Sequence, residues 1–267
     1  MSLQQDFADG RIACRAIDGI GRLTLNRPER RNALDQAMWA AIGPAITWLA
    51  ADGHAAVIIL EGAGGQDFCS GADILEFDTV RADAATARAY ETMNSEAFRA
   101  LREAPVPVLA LIRGICFGGG LGLAAACDLR LADSTARFAI PAARLGLAYP
   151  IDAVPDIVAG LGAQQARHLL LTAREIDSRA ALAAGFLLEL HPPGHLDGAV
   201  LEIARSIVGA APLSVRASRM AIAAALQGDG GLAAQAAMLG DATFESADYA
   251  EGRSAFRERR KPVFTGR

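Results

Sequence analysis

The chain has 267 residues, of which 52% are hydrophobic and 21% are charged, and 27 are glycines. A chain of this length and composition can bury a large core, which excludes intrinsically disordered and collagen-like proteins. Its formal net charge of -4 at pH 7 argues against broad electrostatic binding to nucleic acid. The bulk properties therefore favour small-molecule chemistry, in one large domain or in one domain with an appendage.

The cysteines and the first residues bear on the cellular compartment. The four cysteines are Cys14, Cys69, Cys116 and Cys127. They lie far apart in apolar surroundings, without the short spacing of a zinc site or a disulfide-rich domain, which predicts buried free thiols and no metal. Residues 1–11 lack the apolar core of a secretory signal, and the uncharged stretch 115–127 is shorter than the ~20 residues that span a bilayer. We expect a cytoplasmic protein that does not bind membranes.

The first part of the chain is predicted to alternate strands with helices. Residues 12–17 and 22–25 flank the pair Asp18-Gly19, which is typical of a tight hairpin turn. From residue 35 to residue 51 the apolar residues recur three or four positions apart, which predicts a helix. Further strands are predicted at 56–60, 108–112 and 129–132, and further helices at 82–103 and within 114–126. This order indicates an α/β core with parallel strands.

The strand signals end near residue 196. Alanine-rich stretches with helical character follow at 201–208, 215–226 and 233–244. The sequence therefore predicts a core over residues 1–195 and a helical region over residues 196–267.

Two segments rich in small residues are candidates for a binding site. They are residues 68–73 and 114–122, and each follows a predicted strand. Consecutive glycines let a backbone approach a ligand closely, and the start of a helix adds a partial positive charge. Such a site can stabilise an oxyanion. The alternative is that the glycines 118–122 only allow a helix and a strand to pack closely.

A dinucleotide site is a second alternative for the same glycines. Residues 120–125 satisfy the loose glycine fingerprint of a nucleotide-binding turn, with the acidic Asp133 downstream. The match is weak because Asp133 follows too soon and the predicted strand ends too far before the glycines. A phosphate-binding loop of the Walker type is excluded, because no glycine-lysine-serine or glycine-lysine-threonine follows.

Four segments taken together carry a family resemblance. They are residues 23–34 (LTLNRPERRNAL), 70–74 (SGADI), 118–128 (GGGLGLAAACD) and 248–262 (DYAEGRSAFRERRKP). In this order they resemble the crotonase superfamily, also called the enoyl-CoA hydratase/isomerase family, over nearly the whole chain. The resemblance implies a spiral of β-β-α turns with a carboxyl-terminal helical region that forms homotrimers, often paired into hexamers.

The resemblance also implies roles for single residues. The backbone N–H groups of Ala72 and Gly119 would hold the thioester carbonyl oxygen of an acyl-CoA, which acts as substrate, with no separate cofactor. The neighbouring substrate-binding positions are Ser70, Asp73, Ile74, Gly118 and Tyr149. Asp73 can instead fix its own loop by local hydrogen bonds, and Tyr149 can donate a proton or only shape the acyl site.

Basic residues are implied at the coenzyme A end of the substrate. Arg30 and Arg31 match the family's basic position near the phosphates, and Phe256 and Lys261 match tail positions that hold the nucleotide, sometimes across a subunit boundary. The alternative is that the basic residues 253–261 form an ordinary solvated helix face.

Both glutamates that hydratases of this family use are missing. The alignment places Gly122 and Ala142 at their positions. Water addition needs a base and an acid, each contributing ~10²- to 10⁴-fold, so ordinary hydration is not expected. Asp152 is a substitute acid whose proton affinity an apolar environment would raise, or it is a helix N-cap.

Three functions follow from these observations. The first is an enzyme that stabilises an enolate or oxyanion of an acyl-CoA with non-standard acid/base residues, by decarboxylation, hydrolysis or a proton shift. The second is a trimer that binds acyl-CoA without turnover. The third is a nicotinamide dinucleotide enzyme, which the glycine fingerprint alone favours.

Overall fold

The computed structural model describes residues 2–267, and its strands form two sheets. The strands are β1 (Leu3–Phe7), β2 (Ile12–Ile17), β3 (Ile20–Leu25), β4 (Val57–Gly62), β5 (Val108–Ile112), β6 (Ile115–Phe117), β7 (Leu129–Asp133), β8 (Arg137–Ala139), β9 (Ile176–Asp177) and β10 (Glu189–His191). The larger sheet has the order β1-β2-β3-β4-β5-β7-β10, and β6, β8 and β9 form the smaller sheet. The pairs from β3 to β10 in the larger sheet are parallel. The α/β core with parallel strands is therefore confirmed.

Helices cover both faces of the larger sheet. They are α1 (Gln36–Ala51), α2 (Phe77–Val80), α3 (Ala84–Arg102), α4 (Gly119–Ala126), α5 (Val154–Thr172), α6 (Ser178–Ala183), α7 (Leu196–Val208), α8 (Pro212–Gln227), α9 (Gly230–Thr243) and α10 (Ala247–Glu258). Short 3-10 turns at Pro141–Leu145 and Ile151–Ala153 connect β8 to α5.

The amino-terminal hairpin follows its sequence signal closely. Asp18 and Gly19 both have positive φ, at 51° and 78°, and Ile17 pairs with Ile20 across the turn. The preceding strand β1 was not predicted. Its sequence LQQDF is polar and mostly exposed, and it pairs with β2 as an edge strand, so it lacks the alternating pattern that marks a half-buried strand.

The two faces of β4 explain why its apolar run is unbroken. Ile58 and Leu60 belong to the main core under α1, α3 and α4, whereas Val57 and Ile59 belong to a second core on the other face. Strands buried on both faces give continuous apolar sequences. The second core includes Leu196, Val200 and Ala204 of α7. Helix α7 therefore packs on the sheet, and only the helices from α8 onward extend beyond it.

This packing bears on the predicted boundary at residue 196. The region that follows is helical, as expected, but its first helix completes the core instead of standing apart.

The helices α7 and α8 meet at a bend of 109°. Within residues 2–267 no single helix is long and apolar enough to cross a membrane, although α7 and α8 satisfy length and composition as a bent pair.

The cysteines occupy the core as free thiols. All four are buried and none forms a disulfide in the described chain. Burial raises the pKa of the Cys14 and Cys69 thiols to about 12, so both thiols stay protonated near neutral pH. The prediction of buried free thiols is confirmed.

One arginine ties α8 to the core. The Arg219 guanidinium donates to both Asp128 carboxylate oxygens, at 2.7 and 2.9 Å, and to the backbone carbonyls of Leu101, Arg102 and Ala104 at the end of α3. Asp128 also accepts from the Val108 amide at the start of β5, at 2.8 Å. The Arg219 side chain therefore joins α8 to the end of α3 and, through Asp128, to the start of β5.

Replacement of Arg219 is expected to loosen this junction. Arg219→Met keeps the apolar stem but removes a donor from three carbonyls and leaves the Asp128 carboxylate without its paired cation, so we expect the free energy of unfolding to fall by about 2–3 kcal/mol. Urea denaturation measures the change. Arg216→Met, at an exposed position of the same helix, is the matched control and should change stability little. Equal losses in the two variants would contradict the anchoring role.

Candidate active site

The first glycine loop, residues 68–73, is held against the segment before α1. Leu34 N–H donates to the Gly71 carbonyl at 2.8 Å, and Asp73 N–H donates to the Leu34 carbonyl at 2.8 Å. The Asp73 carboxylate accepts from the Leu75 amide at 3.1 Å and pairs with Arg27 at 3.0 Å. Asp73 is thus committed to its loop and does not line the cavity described below. These partners occupy both carboxylate oxygens, which agrees with the alternative that Asp73 fixes its own loop. Its contact with substrate stays a prediction.

The second loop runs beside the first. Cys69 N–H donates to the Ile115 carbonyl at 2.9 Å, and Phe117 N–H donates to the Cys69 carbonyl at 3.0 Å. Gly118 has a φ of 50° and ψ of -117° as the N-cap of α4, a conformation that an L side chain rarely adopts. Because of this turn, α4 begins next to Gly71 and Ala72.

The two loops approach each other as closely as glycine allows. A Cβ atom built on Gly71 would lie 3.2 Å from the Gly119 nitrogen, and one built on Gly119 would lie 3.7 Å from the Ala72 nitrogen. Among residues 2–267, no acceptor is hydrogen-bonded to the Ala72 or the Gly119 amide. Two neighbouring N–H groups therefore have no acceptor within the described chain, and Gly119 adds the partial positive charge of the α4 start.

A cavity of about 90 Å³ lies beside these amides. Its walls include both loops, the aromatic rings of Trp39 and Phe98, and the turn Pro141–Leu145. The predicted site residues that line it are Ser70, Ala72, Ile74, Gly118, Gly119 and Tyr149. Residues as far apart in the sequence as Ser70 and Tyr149 are thus brought to one cavity.

The other glycines of the second loop lie inside the protein. A Cβ atom on Gly120 would come within 2.5 Å of the Cys69 carbonyl oxygen, and one on Gly122 within 2.7 Å of the Phe98 ring. These two glycines serve close packing within α4. The two roles considered for this glycine segment, ligand binding and close packing, therefore belong to different residues. Gly118 and Gly119 border the cavity, whereas Gly120 and Gly122 are buried.

Gly122 and Ala142, the two positions at which the sequence analysis expects glutamates in hydratases of the family, lie near the cavity. Ala142 lines it from the turn Pro141–Leu145. At Gly122 the place of a Cβ atom is already filled, because the Phe98 ring and the Tyr149 hydroxyl oxygen both lie 2.7 Å from it. The residues described as lining the cavity include no aspartate or glutamate.

Tyr149 connects the cavity to the second loop. Its hydroxyl donates to the Gly118 carbonyl at 2.9 Å, and the Gly122 amide donates to the same carbonyl at 3.1 Å. That carbonyl belongs to the same peptide group as the Gly119 N–H, so Tyr149 fixes the orientation of this amide. Burial raises the pKa of the Tyr149 phenol above its ordinary value, which keeps it protonated and able to donate.

Asp152 does not occupy the place expected of it. Its side chain is exposed and lies outside the residues that line the cavity, so no apolar environment surrounds the carboxylate. Neither the turn Ile151–Ala153 nor helix α5 has a side-chain cap. The interpretation of Asp152 as a helix N-cap is wrong, because Ile151–Ala153 forms a separate turn before α5 begins and no side chain caps that helix. The role of Asp152 as a substitute acid stays a prediction, without the apolar environment that was expected to raise its proton affinity.

The sequence analysis did not identify two polar residues of the cavity. Arg81 follows α2 and Asn94 lies on α3, and both line the cavity. Asn94 occupies a core position in α3, between Tyr90 and Phe98 at intervals of four residues, and is 4% exposed. A polar residue within such an apolar stripe was a usable signal, whereas no local pattern identified Arg81.

The residues implied for coenzyme A lie outside the cavity. Arg30 and Arg31 are exposed, but their carbonyls accept hydrogen bonds from the Ser70 hydroxyl and amide, at 3.4 and 3.0 Å. They are therefore adjacent to the first loop. Phe256, 86% exposed, borders a separate groove on α10, and Lys261 follows on the exposed tail. Within this single chain, the tail residues and the cavity do not meet.

The chain matches a known family over most of its length. The family model of enoyl-CoA hydratase/isomerase matches residues 15–267. A short-chain-enoyl-CoA hydratase of Clostridium acetobutylicum is 32% identical over 241 residues, which cover 90% of this chain and 91% of that protein. A crotonyl-CoA hydratase of Syntrophomonas wolfei is 32% identical over 244 residues, which cover 91% and 93% of the two chains.

Solved structures agree with the sequence match. A structure from Magnetospirillum magneticum described as an enoyl-CoA hydratase/carnithine racemase has a TM-score of 0.90 at 34% identity, covering 98% of this chain and 97% of that chain. A putative enoyl-CoA hydratase/isomerase family protein from Hyphomonas neptunium has a TM-score of 0.91 at 33% identity, covering 96% and 98%. The chain therefore belongs to the enoyl-CoA hydratase/isomerase family and has the crotonase fold.

Proposed function

We propose that the protein acts on acyl-CoA thioesters and stabilises negative charge on the thioester carbonyl oxygen. The observation that carries this proposal is the pair of unpartnered amides, Ala72 and Gly119, beside one cavity. Donors held in place before the reaction stabilise an enolate or a tetrahedral anion more than they stabilise the neutral carbonyl, and one such donor is worth ~10²- to 10³-fold in rate.

The coenzyme A end of the substrate is assigned to the loop before α1. Arg30 and Arg31 are exposed cations, and neither pairs with a carboxylate in the part of the chain that the structure describes. Their backbone is hydrogen-bonded to Ser70, two residues before Ala72. Guanidinium groups suit phosphates, so a thioester bound at the amides can extend its phosphates toward these two side chains.

The cavity residues determine which reaction is proposed. Hydration requires a base and an acid, and the positions that would supply glutamates hold Gly122 and Ala142. Tyr149 is a neutral phenol at the cavity. We therefore assign enolate or oxyanion chemistry with non-standard acid/base residues. Decarboxylation breaks the bond to a carboxylate of the substrate, releases CO2 and leaves the enolate without a protein base, whereas hydrolysis or a proton shift would need a group of the substrate itself to take the proton.

A non-catalytic acyl-CoA-binding protein is the second candidate. The same lack of a carboxylate among the lining residues favours it. Such a protein is stabilised by CoA thioesters but forms no product from any of them. An enzyme consumes at least one thioester faster than buffer does, so a turnover assay over a panel of acyl-CoAs separates the two candidates.

The helical region is assigned to self-association as a homotrimer or hexamer. Ile222, Leu226, Met238 and Phe244 of α8, α9 and the turn after α9 are between 61% and 72% exposed. Large apolar side chains exposed together are typical of a protein interface. In such an assembly, Phe256 and Lys261 of one subunit would approach the coenzyme A site of its neighbour, since within one chain they lie away from the cavity.

A comparison of two ligands tests the oxyanion site without requiring turnover. Butyryl-CoA is expected to bind about 10- to 30-fold more tightly than butyl-CoA, the thioether that lacks the carbonyl oxygen, because two amides then gain an acceptor. Isothermal calorimetry gives both dissociation constants. Ala72→Pro removes one N–H and should reduce the ratio about 5-fold, whereas Ala72→Ser keeps the N–H and the ratio. Equal affinities in the unaltered protein would refute the proposal even if Ala72→Pro fails to fold.

Replacement of Gly122 tests whether aromatic packing has taken the glutamate's place. Gly122→Ala is expected to lower the free energy of unfolding by about 1–3 kcal/mol, because Phe98 and Tyr149 must move. Gly198→Ala, at an exposed position of α7, is the control. No atom lies within 4 Å of its Cβ, so it should stabilise the helix by about 0.5–1 kcal/mol. If both variants are at least as stable as the parent in urea, the packing argument is wrong.

Sedimentation equilibrium tests the assignment of the helical region. The expected mass is three or six times that of the 27.8 kDa chain. Lys261→Ala is expected to weaken coenzyme A binding while leaving this mass unchanged, because its proposed role is contact with the nucleotide. A monomeric mass at micromolar concentration would contradict both the trimer and the completion of the site by a neighbour.

A further inference from the structure

We propose that the acyl group of the substrate carries a hydroxyl beyond its reacting carbons, and that Arg81 and Asn94 bind this hydroxyl. The inference rests on the proposed function, since it takes the acyl chain to occupy the cavity beside Ala72 and Gly119. It adds the chemical class of that acyl chain, which neither the family nor the two amides specify.

Two unpartnered atoms carry the inference. Among the described residues, the buried side-chain polar atoms without a hydrogen-bond partner are the Arg81 Nε and the Asn94 Oδ1. Both side chains line the same cavity. Buried polar atoms are nearly always hydrogen-bonded in folded proteins, and each exception needs an explanation. Two exceptions in one cavity indicate a ligand that supplies both partners.

The Arg81 guanidinium is held rigidly. It lies over the Phe77 ring at 4.6 Å and over the Tyr90 ring at 4.9 Å, and it pairs with Glu91 at 2.7 Å through Nη2. The side chain of Arg81 is 13% exposed. Stacking and ion pairing fix the group before any ligand binds, which reduces the entropic cost of binding, and the Nε donor remains unused.

The order of residues along α3 places Arg81 and Asn94 away from the part of the cavity where the thioester would react. Tyr90, Asn94 and Phe98 follow one another at helical spacing on the buried face. Phe98 is beside the Gly122 position and Tyr149, whereas Arg81 stacks on Tyr90 two turns earlier. One turn of helix is ~5.4 Å, so the polar group of the ligand lies well beyond the carbons next to the thioester.

The charges favour a neutral group over an anion. Arg81 is already paired with Glu91, so the site has no unneutralised cation. The buried atoms that remain without a partner are one donor, the Arg81 Nε, and one acceptor, the Asn94 Oδ1. A hydroxyl accepts from the first and donates to the second without any change in either side chain. A carboxylate would bind the Nε, but it would lie near Glu91 and would require the Asn94 amide to turn its NH2 group toward the ligand.

Affinity measurements with matched thioesters test the assignment. The probes are butyryl-, pentanoyl- and hexanoyl-CoA, their ω-hydroxy counterparts, and succinyl-, glutaryl- and adipyl-CoA. We expect the hydroxy compound to bind about 5- to 20-fold more tightly than the methyl-ended compound at one or more chain lengths. The carboxylate compounds should bind no more tightly than the methyl-ended ones. Calorimetry reports each dissociation constant without requiring turnover.

Three variants locate the effect. Arg81→Met removes the donor and Asn94→Leu removes the acceptor, and each should reduce the hydroxyl preference to less than about 3-fold. Arg88→Met, at an exposed position of α3, should retain the full preference. Because Asn94→Leu replaces an unpartnered polar atom with an apolar group, its melting temperature should stay level or rise, and a purely structural Asn94 would lower it.

The outcomes separate this inference from the proposed function. If methyl-ended and hydroxyl-ended thioesters bind equally at every length, the inference is overturned and the proposed function stands, with water filling the polar end of the cavity. If a carboxylate compound binds most tightly, the assignment to a hydroxyl is overturned. If no thioester binds, the proposed function itself fails.

Discussion

The site depends on two backbone loops that touch while their amides stay free. Gly71 has a φ of 101° and Gly118 a φ of 50°, and these turns direct the Ala72 and Gly119 amides away from internal acceptors. Leaving buried donors unpaired costs free energy, so other bonds must hold the loops. Leu34 fixes the first loop on both sides of Ala72, and Cys69 pairs with Ile115 and Phe117 between the loops. These hydrogen bonds hold the two loops side by side while the Ala72 and Gly119 amides stay unpaired.

The sequence predicted the elements that have strong local signals. The hairpin at Asp18-Gly19, the strand Val108–Ile112 and the helix after Asp35 all follow from spacing and turn chemistry. The strand β1 was not predicted because its residues are exposed and polar. The packing of α7 on the second face of the sheet was not predicted either, since an amphipathic pattern shows that one face of a helix is buried but not what covers it.

The candidate site was only partly predictable for the same reason. The glycine loops were visible because positive φ and close approach demand glycine, and the family resemblance added the roles of Ala72 and Gly119. The surroundings of Asp152 and the Arg27 partner of Asp73 were not predictable, because a carboxylate's neighbours depend on tertiary contacts. Arg27 takes up Asp73, and solvent surrounds Asp152. Arg81 reaches the cavity through the short helix α2, which gave no signal that a sequence pattern could detect.

The absence of glutamate at residue 122 is part of the packing of the site. Phe98 and the Tyr149 hydroxyl fill the space where a side chain would begin, and the same hydroxyl donates to the Gly118 carbonyl. Because this carbonyl and the Gly119 N–H share one peptide group, each hydrogen bond to the oxygen polarises the N–H and strengthens its attraction for an anion. The Gly122 amide adds a second such bond. Tyr149 thus fills the space beside residue 122 while its hydroxyl supports the Gly119 peptide group, and a glutamate at residue 122 would displace the phenol that orients the Gly119 amide.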